Sequence, residues 1–563
     1  MKLKNNHVNN VANLILGIAI LTALYRFVIP GYGWIHPHFY YDILPQSLAN
    51  GSSIKFRDLI DIFQPRQDFE VRSRFMNYFV LALDQKIRLF YYDKFYIPSN
   101  FLPIISTLNI ISCFLFYKTL KLLFQQKIIA KIGVSLYIVS IGFYSLSGNV
   151  YMAAKPVANF IVIFSMFLTS KYLTGQIKNV KFFTTNLFLL FIGFYTDEVV
   201  FIVVINYLLV VGLFYLRDRK EVNIKLPPTK DKKIKIQASI FPKLRLVLGT
   251  YFAALFAWIV SITFLVPIIT KKYFGWDFSF WQFNLNLKND INFGGGFPEG
   301  TKVDFLFILT NSLSNIYHIF SYQFIPEFLF SAKGMPDLEY GQPNSLYRFG
   351  DLSGLGFTVL LFILLLIVYF ILKNNSKAII LTLLTFISSV VFFSLLQLKH
   401  VPQISGYIYG ATISVYIVLF FTSILNIVFV KNNFNFSTYV MIFLIIYVQI
   451  INGNELNKRW DLFHRNWSNS AIQQISSLPT STLGAGVRTS VDVQPKLFED
   501  FQIWRAFHNN SLDQYLETNS VSLKSMAFIT ELRLGNYAKQ LNDGDYHCDI
   551  AGLQLPCLGY KDK

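Results

Sequence analysis

Apolar and polar positions along this chain fall into long blocks. Runs with almost no charge, each near the ~20 residues that a helix needs to cross a bilayer, recur through the first 450 positions. They cover roughly 9–29, 101–124, 129–147, 156–174, 181–196, 198–216, 247–269, 354–373, 378–397, 404–430 and 437–452. The pattern predicts an all-α polytopic membrane protein with about eleven (11–13) transmembrane helices. A β-barrel would show short alternating segments instead. The segment 303–324 is apolar but broken by Asn311, Asn315 and His318. It forms a twelfth span or a helix lying in the membrane interface, and the charge parity of the short loops favours the second. The first apolar run is long and no small-residue cleavage site follows it, so it is expected to stay as a helix.

Polar blocks separate two domains: a membrane domain, 1–452, and a C-terminal tail, 453–563. Two long polar regions interrupt the first. Residues 30–100 form a first loop with its own structure: short helices at Tyr41–Ala49 and Ile54–Phe63, then an amphipathic helix over Phe69–Tyr92. In that helix Met76, Val80, Leu83, Ile87 and Phe90 share one face. Residues 270–353 form a second, aromatic and Gly-rich loop. Trp276, Phe278, Phe280 and Trp281 suit the headgroup level, and Gly294–Gly296 suits a hinge. A flap over a site and a plain long loop are both open there. The tail is expected to be a small α/β domain. Its elements would be an amphipathic helix over Glu455–Ser477 (Leu456, Trp460, Phe463, Trp467), a strand Val487–Val493 and a helix Pro495–Phe507.

Composition agrees with the pattern: 53% of residues are hydrophobic and 15% charged, against about 25% charged in an average soluble domain. The net charge is +18, and its distribution sets its meaning. Ten cations fill 217–246: Arg217, Arg219, Lys220, Lys225, Lys230, Lys232, Lys233, Lys235, Lys243 and Arg245. Lys2, Lys4, Lys118, Lys121, Lys127, Lys131, Lys171, Lys178, Lys181, Lys373, Lys377 and Lys431 mark other short connections. All fall on one side if 303–324 does not cross, which predicts a cytoplasmic N-terminus. Then 30–100, 270–353 and the tail lie outside. Cations beside a membrane set topology and touch anionic lipid, so no nucleic-acid partner is expected. Of three cysteines, Cys113 reads as packing in a span. Cys548 and Cys557 form a disulfide or remain two thiols.

Four clusters carry candidate chemistry. The first loop supplies carboxylates (Asp42, Asp58, Asp61, Asp68, Glu70) and cations (Lys55, Arg57, Arg66, Arg72, Arg74). Transfer of a glycosyl or phosphoryl group at a membrane surface uses both. A carboxylate takes the acceptor's proton, and cations or a divalent metal stabilise the leaving phosphate. No residue spacing fixes a metal site. Asp197 and Glu198 stand together between two apolar runs. They form a water-exposed turn, or one of them faces a polar cavity. Lys399–His400–Val401–Pro402 supplies a cation and a donor at a helix end; it binds phosphate or snorkels to water.

The order of one span, a large charged loop, many spans and a tail resembles the C-type glycosyltransferases (GT-C). Local stretches add to the likeness. His36–Gly51, reading HPHFYYDILPQSLANG, resembles the family stretch DE-x-x-Y-x-x-I-A-x-x-M-L-x-x-G. Ser73–Phe79 is similar to the P-P-L-x-Y-x-L segment that follows it. Asp197–Glu198 looks like the family's Lys–Glu pair, and Lys399–Pro402 resembles its late R-Y-x-x-P segment. The resemblance implies a membrane glycosyltransferase in a bacterial-type inner membrane. Its donor would be a lipid-linked sugar on polyprenyl phosphate, taken from among the membrane lipids, and its acceptor an envelope glycan, lipid or protein. The family's catalytic Asp falls at His36 and its next acid at Pro37. The base is therefore sought among Asp42, Asp68 and His36. Arg72, Arg74, Lys399 and His400 would hold the donor phosphate. Asp197 and Glu198 would line the cavity, with Glu198 orienting a partner. An O-antigen polymerase or ligase, a transporter or lipid flippase, and a non-catalytic scaffold are the rival classes. Polymerases carry their main loop late, and transporters place charge at midplane.

Overall fold

The computed structural model describes residues 5–28, 80, 103–140, 142–143, 154–225, 230–274, seven positions between 306 and 316, 353–372, 377–396, 410–432, 438–451, 547–550 and 553–556. These are helical but for a few turn residues and one hairpin. The helices are α1 (Asn5–Val28), α2 (Pro103–Phe124), α3 (Lys127–Val139), α4 (Ala154–Leu173), α5 (Asn179–Phe194), α6 (Val203–Lys225), α7 (Lys230–Val260), α8 (Val266–Phe274), α9 (Ser353–Leu372), α10 (Lys377–Leu396), α11 (Gly410–Asn432) and α12 (Thr438–Ile451). Among the described residues, five helical stretches are long and apolar enough to cross a membrane: Ile104–Phe124, Lys155–Leu173, Val199–Leu216, Pro242–Ile269 and Thr412–Phe429. The described residues are thus almost entirely helical, with several helices fit to span a bilayer. The predicted amphipathic loop helices and tail elements lie outside the described residues, except Val80, which is buried in the core. In the tail, β1 (His547–Ile550) pairs antiparallel with β2 (Leu553–Pro556). Cys557 lies outside the described residues.

Three expected boundaries change, each for a local reason. The run 129–147 does not stay one helix, because α3 ends at Val139. Ser140 takes an extended conformation, and its Oγ accepts from Phe143 N at 3.2 Å. A hydroxyl that caps the next turn competes with helix continuation. The region 217–246 is not a loop: α6 runs on to Lys225, and α7 begins at Lys230. The apolar run 247–269 is interrupted by a π-helix, Ser261–Leu265, before α8. In the segment 303–324, Leu306 and Leu309 are exposed while Ile316 joins the core.

Tight turns alternate with long connections, and cross-helix contacts fix which ends lie together. After α4 the chain reverses through Gly175, at φ +74°. Its N–H donates to Tyr172 O at 3.0 Å, and Gln176 N to Lys171 O at 2.9 Å. This left-handed helix stop is one that glycine adopts without steric cost. Lys131 Nζ donates to Asn9 Oδ1 at 2.9 Å and Asn13 Oδ1 at 2.6 Å. The starts of α1 and α3 therefore lie side by side. Asn159 Nδ2 donates to Tyr137 OH at 2.6 Å, which joins the end of α3 to the start of α4. Lys243 Nζ donates to Leu173 O at 3.0 Å, placing the α6–α7 connection at the far end of α4. Tyr416 OH reaches Ile202 O at 3.5 Å, and an added Cβ on Gly212 would strike Leu381. Together these contacts sort the bundle into two ends. The short connections α2–α3, α4–α5, α6–α7, α9–α10 and α11–α12 share one with the start of α1. The long connections share the other.

Polar side chains inside the bundle are mostly satisfied locally. Ser112, Thr119, Ser135, Thr169, Ser170, Thr385, Ser389 and Thr422 donate to the carbonyl four residues back. That bond lets a hydroxyl sit in an apolar environment. One shared network links three helices. Ser165 Oγ lies 2.8 Å from both Asn186 Oδ1 and Tyr207 OH, and Asn186 Nδ2 donates to that same hydroxyl.

Small residues set the closest approaches, as expected where helices pack without a hydrophobic drive. A Cβ on Gly133 would meet Leu120 Cδ1 at 2.6 Å and Thr422 Oγ1 at 2.9 Å, joining α2, α3 and α11, whereas Gly249 has nothing within 4 Å. Gly133→Ala is therefore expected to cost about 1–3 kcal/mol, read as a lowered unfolding temperature in detergent micelles. Gly249→Ala should match or slightly exceed the wild type. Equal loss in both variants would refute this account of the packing.

Candidate functional site

The turn after α5 is built around Gly193. Tyr195 N and Thr196 N donate back to Ile192 O and Gly193 O at 3.1 and 2.9 Å, and Asp197 N donates to Gly193 O at 3.1 Å. A Cβ on Gly193 would sit 2.7 Å from Val200 Cγ1 and 3.0 Å from Ile161 Cγ2. The absent side chain lets the turn press onto α4. Asp197 then takes an extended conformation and caps a 3-10 helix, Glu198–Ile202. Its Oδ1 accepts from Val199 N at 3.0 Å, which satisfies a donor at the start of that helix.

The same carboxylate meets Lys155, in the first turn of α4. Lys155 Nζ lies 2.7 Å from both Oδ1 and Oδ2 of Asp197. The side chains are 3% and 0% exposed. A water-exposed turn is thus not what the chain forms at Asp197: the carboxylate is buried against a cation 42 positions earlier. Isolated, either charge would cost several kcal/mol to remove from water. Paired, with the backbone donor added, each compensates the other.

The pair sits at a definite level of the bundle. The apolar stretch of α4 begins at Lys155, and that of α6 begins at Val199, two residues past Asp197. The charges therefore lie at the rim of the apolar layer, at the end of the bundle from which the long connections leave. Aromatic side chains wall one side. Phe194 stacks on Phe201 with centroids 4.8 Å apart, and Trp258 meets Phe201 edge-on at 5.6 Å. Tyr195 OH donates to Ser261 Oγ at 2.6 Å, at the first residue of the π-helix. The turn is so tied to a second non-α segment, and such segments recur at functional sites.

Of the candidate site residues named from the sequence, Asp197 alone has a described side chain. Glu198 opens the 3-10 helix, and only its backbone is described. His36, Asp42, Asp68, Arg72, Arg74, Lys399 and His400 lie outside the described residues. Among the described residues no three His, Cys, Asp or Glu side chains come together as a metal set. Sequence reasoning missed Lys155, yet it left a signal. Lys155 is a single charge just before Pro156 at the head of an apolar run, and Asp197 is its opposite at the tail of the following hairpin. Opposite charges at the same end of adjacent helices are candidates to pair.

The chain matches no protein-family model, and no curated protein matches it.

The pair is tested by a double-mutant cycle. Removing one partner strands the other, so Lys155→Met and Asp197→Leu should each cost about 3–5 kcal/mol. The double variant should regain a large part of that loss. Unfolding in detergent measures all three; strictly additive losses would show that the two side chains do not compensate each other.

Proposed function

We propose that this protein is a membrane glycosyltransferase of the GT-C type. It moves a sugar from a polyprenyl-phosphate-linked donor to an envelope glycan, lipid or protein at the outer face of a bacterial-type inner membrane. In this reading eleven spans place the N-terminus in the cytoplasm and the tail outside. One observation carries the proposal most directly: a buried ion pair at the rim of the apolar layer, on the end of the bundle where the long, charge-rich connections begin and end. Val28, at the end of α1, leads into the loop that holds His36, Asp42, Asp68, Arg72 and Arg74. Leu396 and Gly410, which flank Lys399 and His400, end and begin their helices on that side too. In this reading groups far apart in sequence gather at the level of Lys155 and Asp197.

The chemistry follows from that gathering. A base from the first loop (Asp42 or Asp68, with His36 as the third candidate) takes the proton of the acceptor hydroxyl as it attacks the anomeric carbon. The polyprenyl phosphate leaves, and Arg72, Arg74, Lys399 and His400 neutralise its developing charge, with a divalent metal as the alternative. Asp197, held by Lys155, and the adjacent Glu198 form the floor of the cavity. Placement at the rim favours transfer over transport, because a transporter's charges cluster at midplane.

The decisive experiment removes the base. Asp42→Asn and Asp68→Asn are made singly, with His36→Ala alongside, in cells lacking the native copy. One of the three should lower sugar transfer from a polyprenyl-phosphate donor by about 10²–10⁴-fold, with protein level unchanged. Full transfer in all three variants would overturn this assignment of the base.

A further inference from the structure

The opposite end of the bundle carries a second interaction surface, independent of the transfer reaction. The N-terminal residues and the five short connections at this end, with the helix turns that flank them, hold 22 of the chain's 50 Lys and Arg. They hold only 3 of its 32 acids: Asp218, Glu221 and Asp231. The rest of the chain is balanced, with 28 basic and 29 acidic residues. The whole net charge of +18 therefore belongs to one end.

The helix termini there add to it. α3 begins at Lys127, α5 follows Lys178 and carries Lys181 in its first turn, and α10 begins at Lys377; none of the three has an acid in its first turn. A helix N-terminus is already electropositive and favours anions. Lysines at three of them are a mismatch unless negative charge is supplied from outside the chain. Lys127, Lys178 and Lys181 are exposed, so they are open to it.

Depth identifies the source. The apolar stretches end at Phe124, Leu173 and Leu216, and that of α7 starts at Pro242. Lys127, Lys178 and Lys181 lie within a few residues of those limits, at the level of phosphate headgroups. Beyond them α6 and α7 continue as helix for about 13 and 18 Å (1.5 Å per residue) before residues 226–229. The headgroup zone is only about 5–7 Å thick on each side. The helix backbone at positions 230, 232 and 233 therefore lies beyond that zone, past most of a Debye length of about 8 Å at physiological salt.

We infer that the lysines of the α2–α3 and α4–α5 turns form a collar that binds the phosphates of anionic lipids in the leaflet at this end of the bundle. The outer α6–α7 hairpin adds only a screened attraction.

The test uses the full chain in neutral detergent. Retained phosphatidylglycerol and phosphatidylcholine of identical acyl chains are counted by native mass spectrometry. The wild type should retain phosphatidylglycerol about tenfold over phosphatidylcholine at about 0.15 M salt, and most of that preference should vanish at about 0.5 M salt, the estimates following from charge near a lipid surface. K127Q/K178Q/K181Q should lose the preference, whereas K230Q/K232Q/K233Q should keep most of it. K127R/K178R/K181R should bind as the wild type does. Equal retention of the two lipids by the wild type overturns the proposal. So does an unchanged preference in K127Q/K178Q/K181Q, an equal loss in K230Q/K232Q/K233Q, or a loss in the arginine variant, which would mark a structural role instead.

Discussion

The contact between Lys155 and Asp197 is the constraint on which the loop end of the bundle depends. Two charges at the edge of an apolar layer are tolerated only together. To meet, they need α4 and α5 antiparallel, in one register, with the chain reversing within a few residues of Phe194. Gly193 permits that reversal by leaving room for Val200 and Ile161. Asp197 then spends one oxygen on Val199 N, and the tightened 3-10 start of α6 follows. The position of three helices is therefore tied to one pair of side chains. Phe194, Phe201 and Trp258 pack against one another beside this turn.

A different logic governs the interior. No charge pair is described deeper in the bundle, and cohesion there comes from close backbone approach and neutral hydrogen bonds. Ser165, Asn186 and Tyr207 satisfy one another across α4, α5 and α6. Asn159 and Tyr137 join α4 to α3. Not every group is matched: both polar atoms of the Asn206 side chain are buried without a hydrogen-bond partner. The bundle thus grades from ionic at the loop rim, through neutral polar contacts, to strongly cationic at the other end.

The helices were legible in the sequence because charge-free runs of bilayer length leave little else to form. Their limits were legible only in part. The stop at Ser140 depends on a hydroxyl choosing the following turn, which composition does not reveal. The helical course of 217–225 and 230–241 was hidden because a dense charge run reads as a solvated loop. The π-helix at Ser261 has no periodic signature. For the candidate site, Asp197 was visible as an odd charge, but its partner was not. Periodicity orders residues along one helix and is silent on which neighbour a side chain meets. Lys155 stands just before the apolar run 156–174, so the run itself says nothing of the burial that gives Asp197 its setting.

The sequence distance within the ion pair also bears on how the chain is made. Lys155 leaves the ribosome 42 residues ahead of Asp197. At about 5–20 residues per second, the lysine waits roughly 2–8 s for its counter-ion. Its place at the very head of α4 makes that wait tolerable, since a long side chain at a helix end keeps its ammonium in water. The buried contact can form only once α5 has folded back, which makes the α4–α5 hairpin, and neither helix alone, the unit that closes this rim.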